Sequence, residues 1–170
     1  MSIKFKTCLT LAVVLLQVTV LSHFTILGII PNYVLIFTFA ICIISDGIDS
    51  VVFAAATGLL CDMLTGAPLG LNTIIYMYIA IFSIAVIGVV YTKKLKVVVP
   101  MCFVSAFLYE LVFGTLSSLM RTSRFYPEAI WKVMLPAAFI NTLIFIPVYM
   151  VLSRLRFEKK RKGIKYEQQI

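Results

Sequence analysis

Charged residues are scarce in this sequence. Only 13% of its 170 residues are Asp, Glu, Lys or Arg, whereas 62% are apolar. Soluble domains carry about 25% charged residues, and the mean hydropathy of this chain is +1.06. The chain therefore lacks the polar surface that a soluble protein needs, and its length suits one membrane domain.

Groups that commonly carry catalysis or hold metals are scarce as well. The sequence has one histidine, and it contains no G-x-S-x-G, H-E-x-x-H or phosphate-binding glycine-rich motif. Its cysteines stand singly in apolar segments without a C-x-x-C pair. We therefore expect no enzymatic activity, metal or cofactor, and we expect the cysteines to pack as small apolar side chains. They are Cys8, Cys42, Cys61 and Cys102.

The net charge of +8 raises the question of a nucleic-acid partner. The basic residues, however, stand in short clusters beside apolar runs, a pattern typical of segments at a membrane surface. We expect these clusters to contact membrane lipids and not to bind nucleic acid.

The apolar runs predict an all-α integral membrane protein with about six transmembrane helices. A helix needs roughly 20 apolar residues to cross a hydrocarbon core. The runs form a single domain over residues 1–153, followed by a basic cytoplasmic tail over residues 154–170. Their approximate bounds are 8–27, 31–45, 51–64, 71–92, 97–119 and 133–153.

The second and third runs are short for a full crossing, and the acidic turn 45–50 separates them. Either their helices extend beyond the apolar residues, or the two segments dip into the membrane and return. Both arrangements leave the remaining segments with the same orientation.

The distribution of Lys and Arg along the chain predicts that both termini lie in the cytoplasm. This orientation places twelve basic residues inside: Lys4, Lys6, the cluster Lys93, Lys94 and Lys96, and the seven in the tail. Only Arg121, Arg124 and Lys132 then lie outside, in agreement with the positive-inside rule. The tail is expected to lie against the anionic inner leaflet.

Two carboxylates, Asp62 and Glu110, fall in or at the edge of apolar helices. Such groups are costly in a membrane and usually face protein or a water-filled cavity. They could form an ion or proton relay, or line a binding pocket. Alternatively, each could cap, hydrogen-bond or clamp neighbouring helices. Asp62 also lies near the outer end of its helix, where it could reach water.

Helical spacing places small residues beside both carboxylates, which would allow another helix to approach closely. On the face of Asp62 these are Ala54, Ala55 and Gly58, and on the face of Glu110 they are Ala106, Gly114 and Ser117.

Three uncharged polar residues complete the set of candidates. Gln17 lies within the first apolar run, where it is expected to hold helices together rather than contact a ligand. Asn141 lies between Pro136 and Pro147, which predict a kinked last helix. Asn72 would join Asp62 and Glu110 if a polar pocket existed.

The sequence resembles a bacterial family around its third and fourth segments. Residues 58–62 (GLLCD) and 66–72 (GAPLGLN) are similar to the G-L-x-x-D…(P)-L-G-L-N signature of the rod shape-determining protein MreD family. Leu16-Gln17 and the pair Gly28 and Pro31 also match. Asn32 departs from the pattern, since the family usually has an acidic residue there.

This resemblance implies a non-enzymatic scaffold of the cell-elongation machinery in the bacterial plasma membrane. MreD-like proteins act with MreC, a single-span protein, with the MreB-type filament and with cell-wall synthases, to organise lateral peptidoglycan synthesis and maintain rod shape. The family fold is similar to the membrane substrate-binding subunits of energy-coupling-factor transporters. The alternative is therefore a substrate-binding subunit of a vitamin or small-molecule transporter.

Overall fold

The computed structural model describes the backbone of residues 3–19, 23–26, 28–45, 47–66, 68–90, 94–120 and 128–167. Side chains are described in the same ranges apart from 3–7, 90, 117–120 and 155–167. Several predicted features fall outside the described residues or side chains: Lys4, Lys6, Asp46, Lys93, Ser117, Arg121, Arg124 and the tail beyond Arg154.

The described chain is a bundle of six α-helices, which confirms the predicted all-α class. A π-helical turn over Ile130–Met134 leads directly into the last helix. The helices are α1 (Ile3–Thr19), α2 (Tyr33–Ile44), α3 (Asp49–Thr65), α4 (Leu71–Val90), α5 (Leu95–Met120) and α6 (Leu135–Glu167).

The bounds of α2 to α5 lie within two residues of the predicted apolar runs, but α1 and α6 differ. Helix α1 ends at Thr19 rather than near residue 27. The backbone of Ile26 instead pairs with that of Ile29, through N–O distances of 2.8 and 3.0 Å. A continuous apolar run predicts burial but not conformation, so a turn formed where a helix was expected. Helix α6 continues past residue 153 to Glu167, so the start of the tail prolongs the last helix.

Helix α2 forms the centre of the bundle. Every residue from Val34 to Ile44 except Phe37 is buried, and α2 packs against each of the other five helices. Phe39 meets the ring of Phe145 on α6 with centroids 5.4 Å apart. A helix that is apolar on all sides is stable only when it is surrounded by protein or lipid, which explains its position.

Among the described residues, three helices are long and apolar enough to cross a membrane: Leu71–Val89, Leu95–Leu116 and Ile130–Arg154. Helix α2 has 12 residues and is about 18 Å long at 1.5 Å per residue, less than a hydrocarbon core of about 30 Å. Helix α3 has 17 residues, so it is also short. The full crossing and the re-entrant pair therefore both stay predictions.

Large apolar side chains cover the outside of the bundle. A soluble monomer rarely exposes an apolar surface this continuous, whereas lipid requires one. Exposed apolar residues include Leu11, Leu15, Ile74, Tyr78, Ile81, Val104, Leu108, Phe139, Leu143 and Val151.

Cys8 is also exposed, unlike the three other cysteines, so the prediction that all four are core residues was wrong for Cys8.

Candidate functional site: a buried polar network

Asp62 is almost fully buried, with 1% of its surface exposed. Its carboxylate accepts five hydrogen bonds from the start of α4. The backbone N–H groups of Gly70, Asn72 and Thr73 donate at 3.0, 3.0 and 3.2 Å, and the side chains of Asn72 and Thr73 donate at 2.9 Å. Asp62 therefore caps the first turn of another helix, where unpaired N–H groups and the helix dipole favour negative charge. The expectation that Asp62 could reach water was wrong, because α4 encloses it.

The turn between α3 and α4 makes this cap possible. Helix α3 ends at Thr65 and is capped by Gly66, whose φ of 66° is the left-handed conformation that glycine adopts readily. Helix α4 then returns along α3 and passes very close to Gly58. A Cβ atom at Gly58 would lie 2.5 Å from Thr73 Cα, so only glycine permits this approach.

Asn72 connects Asp62 to α5. While its amide group donates to Asp62, its Oδ1 atom accepts a hydrogen bond of 2.9 Å from the hydroxyl of Tyr109. The ring of Tyr109 lies beside that of Tyr76, with centroids 5.8 Å apart. The hydroxyl of Tyr76 points to Oδ1 of Asn32 at 3.4 Å.

Asn32 connects the start of α2 to α6. Its side chain caps α2 by accepting from the N–H of Leu35 at 2.9 Å, as an N-cap residue does. Its own N–H donates to Oδ1 of Asn141, also at 2.9 Å. Asn141 is 1% exposed, and its Nδ2 atom has no partner among the described residues.

Gln17 connects α1 to the same place. Its amide oxygen accepts from the N–H of Tyr33 at 2.9 Å, and its Nε2 atom donates to the carbonyl of Pro31 at 3.3 Å. These bonds join the last turn of α1 to the chain that enters α2.

Together these residues form what we call the polar network. It comprises one or two polar side chains from each of the six helices or their caps, and it lies at the end of the bundle where α3 turns into α4. Almost all of its polar atoms are satisfied within the chain, as buried polar groups require. Its members are Gln17, Asn32, Asp62, Asn72, Tyr76, Tyr109 and Asn141.

Glu110 does not join the polar network, although Tyr109 beside it does. It is half-buried, and no described residue donates a hydrogen bond to it. One turn away, Ala106 is buried, and Gly114 faces the π-helical turn before α6, where an added Cβ would meet Met134 Cε at 2.7 Å. On α3, Ala54 is fully buried and Ala55 half-buried.

Sequence reasoning missed three members of the polar network: Asn32, Tyr76 and Tyr109. Asn32 was noted only as a departure from the family pattern. The tyrosines were missed because an aromatic residue in an apolar run looks like lipid-facing or core packing. One usable signal was present, since Tyr76 follows Asn72 by one helical turn and so shares its face.

A half-open cavity of about 180 Å³ lies at the other end of α2, between α2 and α4. Neither Asp62, Asn72 nor Glu110 lines it. The residues that do include Cys42, Ser45, Gly47, Ser83, Ile87 and Gly88.

Comparison with known proteins found one family. Neither the curated protein sequences nor the solved structures gave a match, so the expected likeness to energy-coupling-factor subunits stays a prediction. The family model of the rod shape-determining protein MreD matches residues 2–156. That range covers most of the chain, including every member of the polar network, and so this membrane protein belongs to the MreD family and has a role in determining rod shape.

Proposed function

We propose that this protein is a non-enzymatic scaffold of the bacterial cell-elongation machinery. In this role it binds an MreC-like single-span membrane protein and, together with an MreB-type filament and cell-wall synthases, organises lateral peptidoglycan synthesis. The observation that carries the proposal is the MreD family match over residues 2–156.

The way in which the chain uses its polar residues supports a scaffold. The carboxylate of Asp62 caps the start of α4, and the side chain of Asn72 forms hydrogen bonds to both Asp62 and Tyr109. These bonds fix the relative positions of the helices at one end of the bundle. A rigid bundle can present the same surface to several partners at once, which is what a scaffold requires.

The distribution of exposed charge supports an orientation with both termini in the cytoplasm of a multi-pass protein. Lys94 and Lys96 are exposed at the start of α5, and Arg154 is exposed beyond the apolar part of α6. Lys132, at the opposite end of the bundle, is exposed and paired with Glu128. Helix α6 continues to Glu167, so the basic tail starts at the same end of the bundle as Lys94 and Lys96, where the anionic inner leaflet attracts basic residues.

The alternative of a transporter subunit needs a pocket lined by Asp62, Asn72 and Glu110. Two of these residues are bonded inside the bundle, and the described cavity lies at the other end of α2. No observation favours this alternative over the scaffold.

The test is a pull-down of the tagged protein in mild detergent from its native membrane, with proteins and small molecules identified together. A second tagged multi-pass protein serves as control. We expect an MreC-like single-span protein and wall-synthesis enzymes to co-purify with this chain and not with the control. Recovery of ATPase subunits or a stoichiometric vitamin, without wall enzymes, would overturn the proposal.

A further inference from the structure

Glu110 is a carboxylate inside an apolar span, and the residues that the structure describes leave it without a partner. It lies six residues before the end of the span Leu95–Leu116, or about 9 Å from that end at 1.5 Å per residue. Its side chain is partly exposed. No described residue donates a hydrogen bond or forms an ion pair with it, in contrast to the five hydrogen bonds that reach Asp62.

This contrast has an energetic consequence. A carboxyl group in hydrocarbon needs hydrogen-bond partners whether it is ionised or protonated, and intramembrane carboxylates usually have them. A glutamate side chain is too short to cover about 9 Å to the end of the span. The missing partner must therefore come from outside the described chain, at the depth of Glu110.

The surroundings of Glu110 form a surface suited to a helix. Gly114, one turn away on the same face, packs against Met134, so Glu110 lies beside the line where α5 meets the start of α6. The π-helical turn Ile130–Met134 adjoins this line, and such turns are frequent at functional sites. Phe107, one turn before Glu110 on the same side of α5, is half-buried, and Phe139 on α6 is 58% exposed, which supplies apolar area near the single acceptor.

We propose that Glu110 anchors a transmembrane helix of a different protein, one that carries a hydrogen-bond donor (Lys, Arg or a side-chain amide) at the same depth. The identity of that protein as the single-span partner rests on the proposed function. A second copy of this chain fits less well, since a two-fold contact at Glu110 would place two carboxylates face to face. Anionic lipid headgroups would be repelled for the same reason.

The experiment places a photo-crosslinking amino acid at Phe107, on the side of α5 that carries Glu110, in the full chain in its native membrane. A probe at Leu11 on α1 serves as control, because its side chain is 43% exposed and α1 does not pack against α5. We expect the probe at Phe107, and not the one at Leu11, to crosslink to a single-span protein. Glu110→Leu should lower the yield of that product roughly 3- to 20-fold, the effect of one interhelical hydrogen bond in a membrane. Glu110→Gln should retain most of it, because an amide still accepts.

Three results would overturn the inference: a product with a second copy of the chain, crosslinks to lipid alone, or a yield that Glu110→Leu leaves unchanged. Yields are counted per folded chain, measured by size-exclusion chromatography, so that lost protein is not mistaken for lost binding. Rescue of rod shape in cells that lack their own MreD-family protein separates the two proposals. If the unsubstituted chain rescues and recovers wall enzymes but Glu110→Leu crosslinks normally, only the Glu110 inference fails. If the unsubstituted chain neither rescues nor recovers them, the proposed function fails.

Discussion

The carboxylate of Asp62 and the side chain of Asn72 are bonded to each other in the interior of the bundle, with Asn72 Nδ2 donating to Asp62 Oδ1 at 2.9 Å. The backbone N–H of Asn72 reaches the same oxygen at 3.0 Å. Asp62, near the end of α3, therefore caps the start of α4, and the bonded pair holds these two helices together.

Asp62→Ala should destabilise the protein by roughly 3 kcal/mol or more. The substitution leaves several buried donors of α4 without an acceptor, and each unsatisfied buried group costs about 1–3 kcal/mol. Unfolding by a denaturing detergent, followed by circular dichroism in mild micelles, measures the change. Asp49→Asn is the control, since Asp49 is an exposed carboxylate on the same helix, and it should change stability by about 0.5 kcal/mol or less. Equal stability of Asp62→Ala and the unsubstituted chain would contradict the capping role.

Tyr109→Phe should cost about 1–2 kcal/mol, because it removes the buried hydroxyl that donates to Asn72 while keeping the ring. Tyr78→Phe offers a matched control on α4, where the tyrosine is 63% exposed. That change should stay within about 0.5 kcal/mol. If both variants unfold at the same detergent concentration, the hydroxyl of Tyr109 contributes nothing to the polar network.

Gly58→Ala should destabilise the bundle by about 1–3 kcal/mol or more, the usual effect of overpacking. The added methyl would meet the backbone of Thr73 at 2.5 Å, and backbone atoms cannot swing aside. Gly88→Ala is the control in a helix, because nothing lies within 4 Å of its added Cβ. It should be neutral or stabilising by up to about 1 kcal/mol, since alanine favours helix. A neutral Gly58→Ala would show that α3 and α4 separate easily.

Orientation can be tested by labelling introduced cysteines with a reagent that does not cross membranes. In intact cells stripped of their wall, Lys132→Cys should react from outside, and Lys94→Cys should react only after the membrane is opened. Both positions are exposed at the ends of the bundle. The experiment needs a Cys8→Ser background, because Cys8 is the exposed native cysteine while the other three are buried. Labelling of Lys94→Cys from outside would reverse the proposed orientation.

The candidate site could be foreseen only in part. Asp62, Asn72, Gln17 and Asn141 stood out because polar groups in apolar runs need partners, and the structure does place them together. Tyr109 and Glu110 show the limit of such reasoning. They are neighbours in the chain, but one residue turns the side chain by about 100° around a helix. The uncharged tyrosine therefore joins the polar network and the carboxylate stays outside it.

Hydropathy and the motif around Asp62 are local properties of the chain, so they were sufficient to predict an all-α membrane protein, the positions of most of its helices and its family. Three features emerged only from the packing of the helices: the 12-residue α2 is the buried centre, α1 ends at Thr19, and a carboxylate on α3 caps α4. Those outcomes depend on which distant groups meet. Apolar side chains look alike whether they face lipid or protein, and a polar group reveals its partner only when the helices are packed.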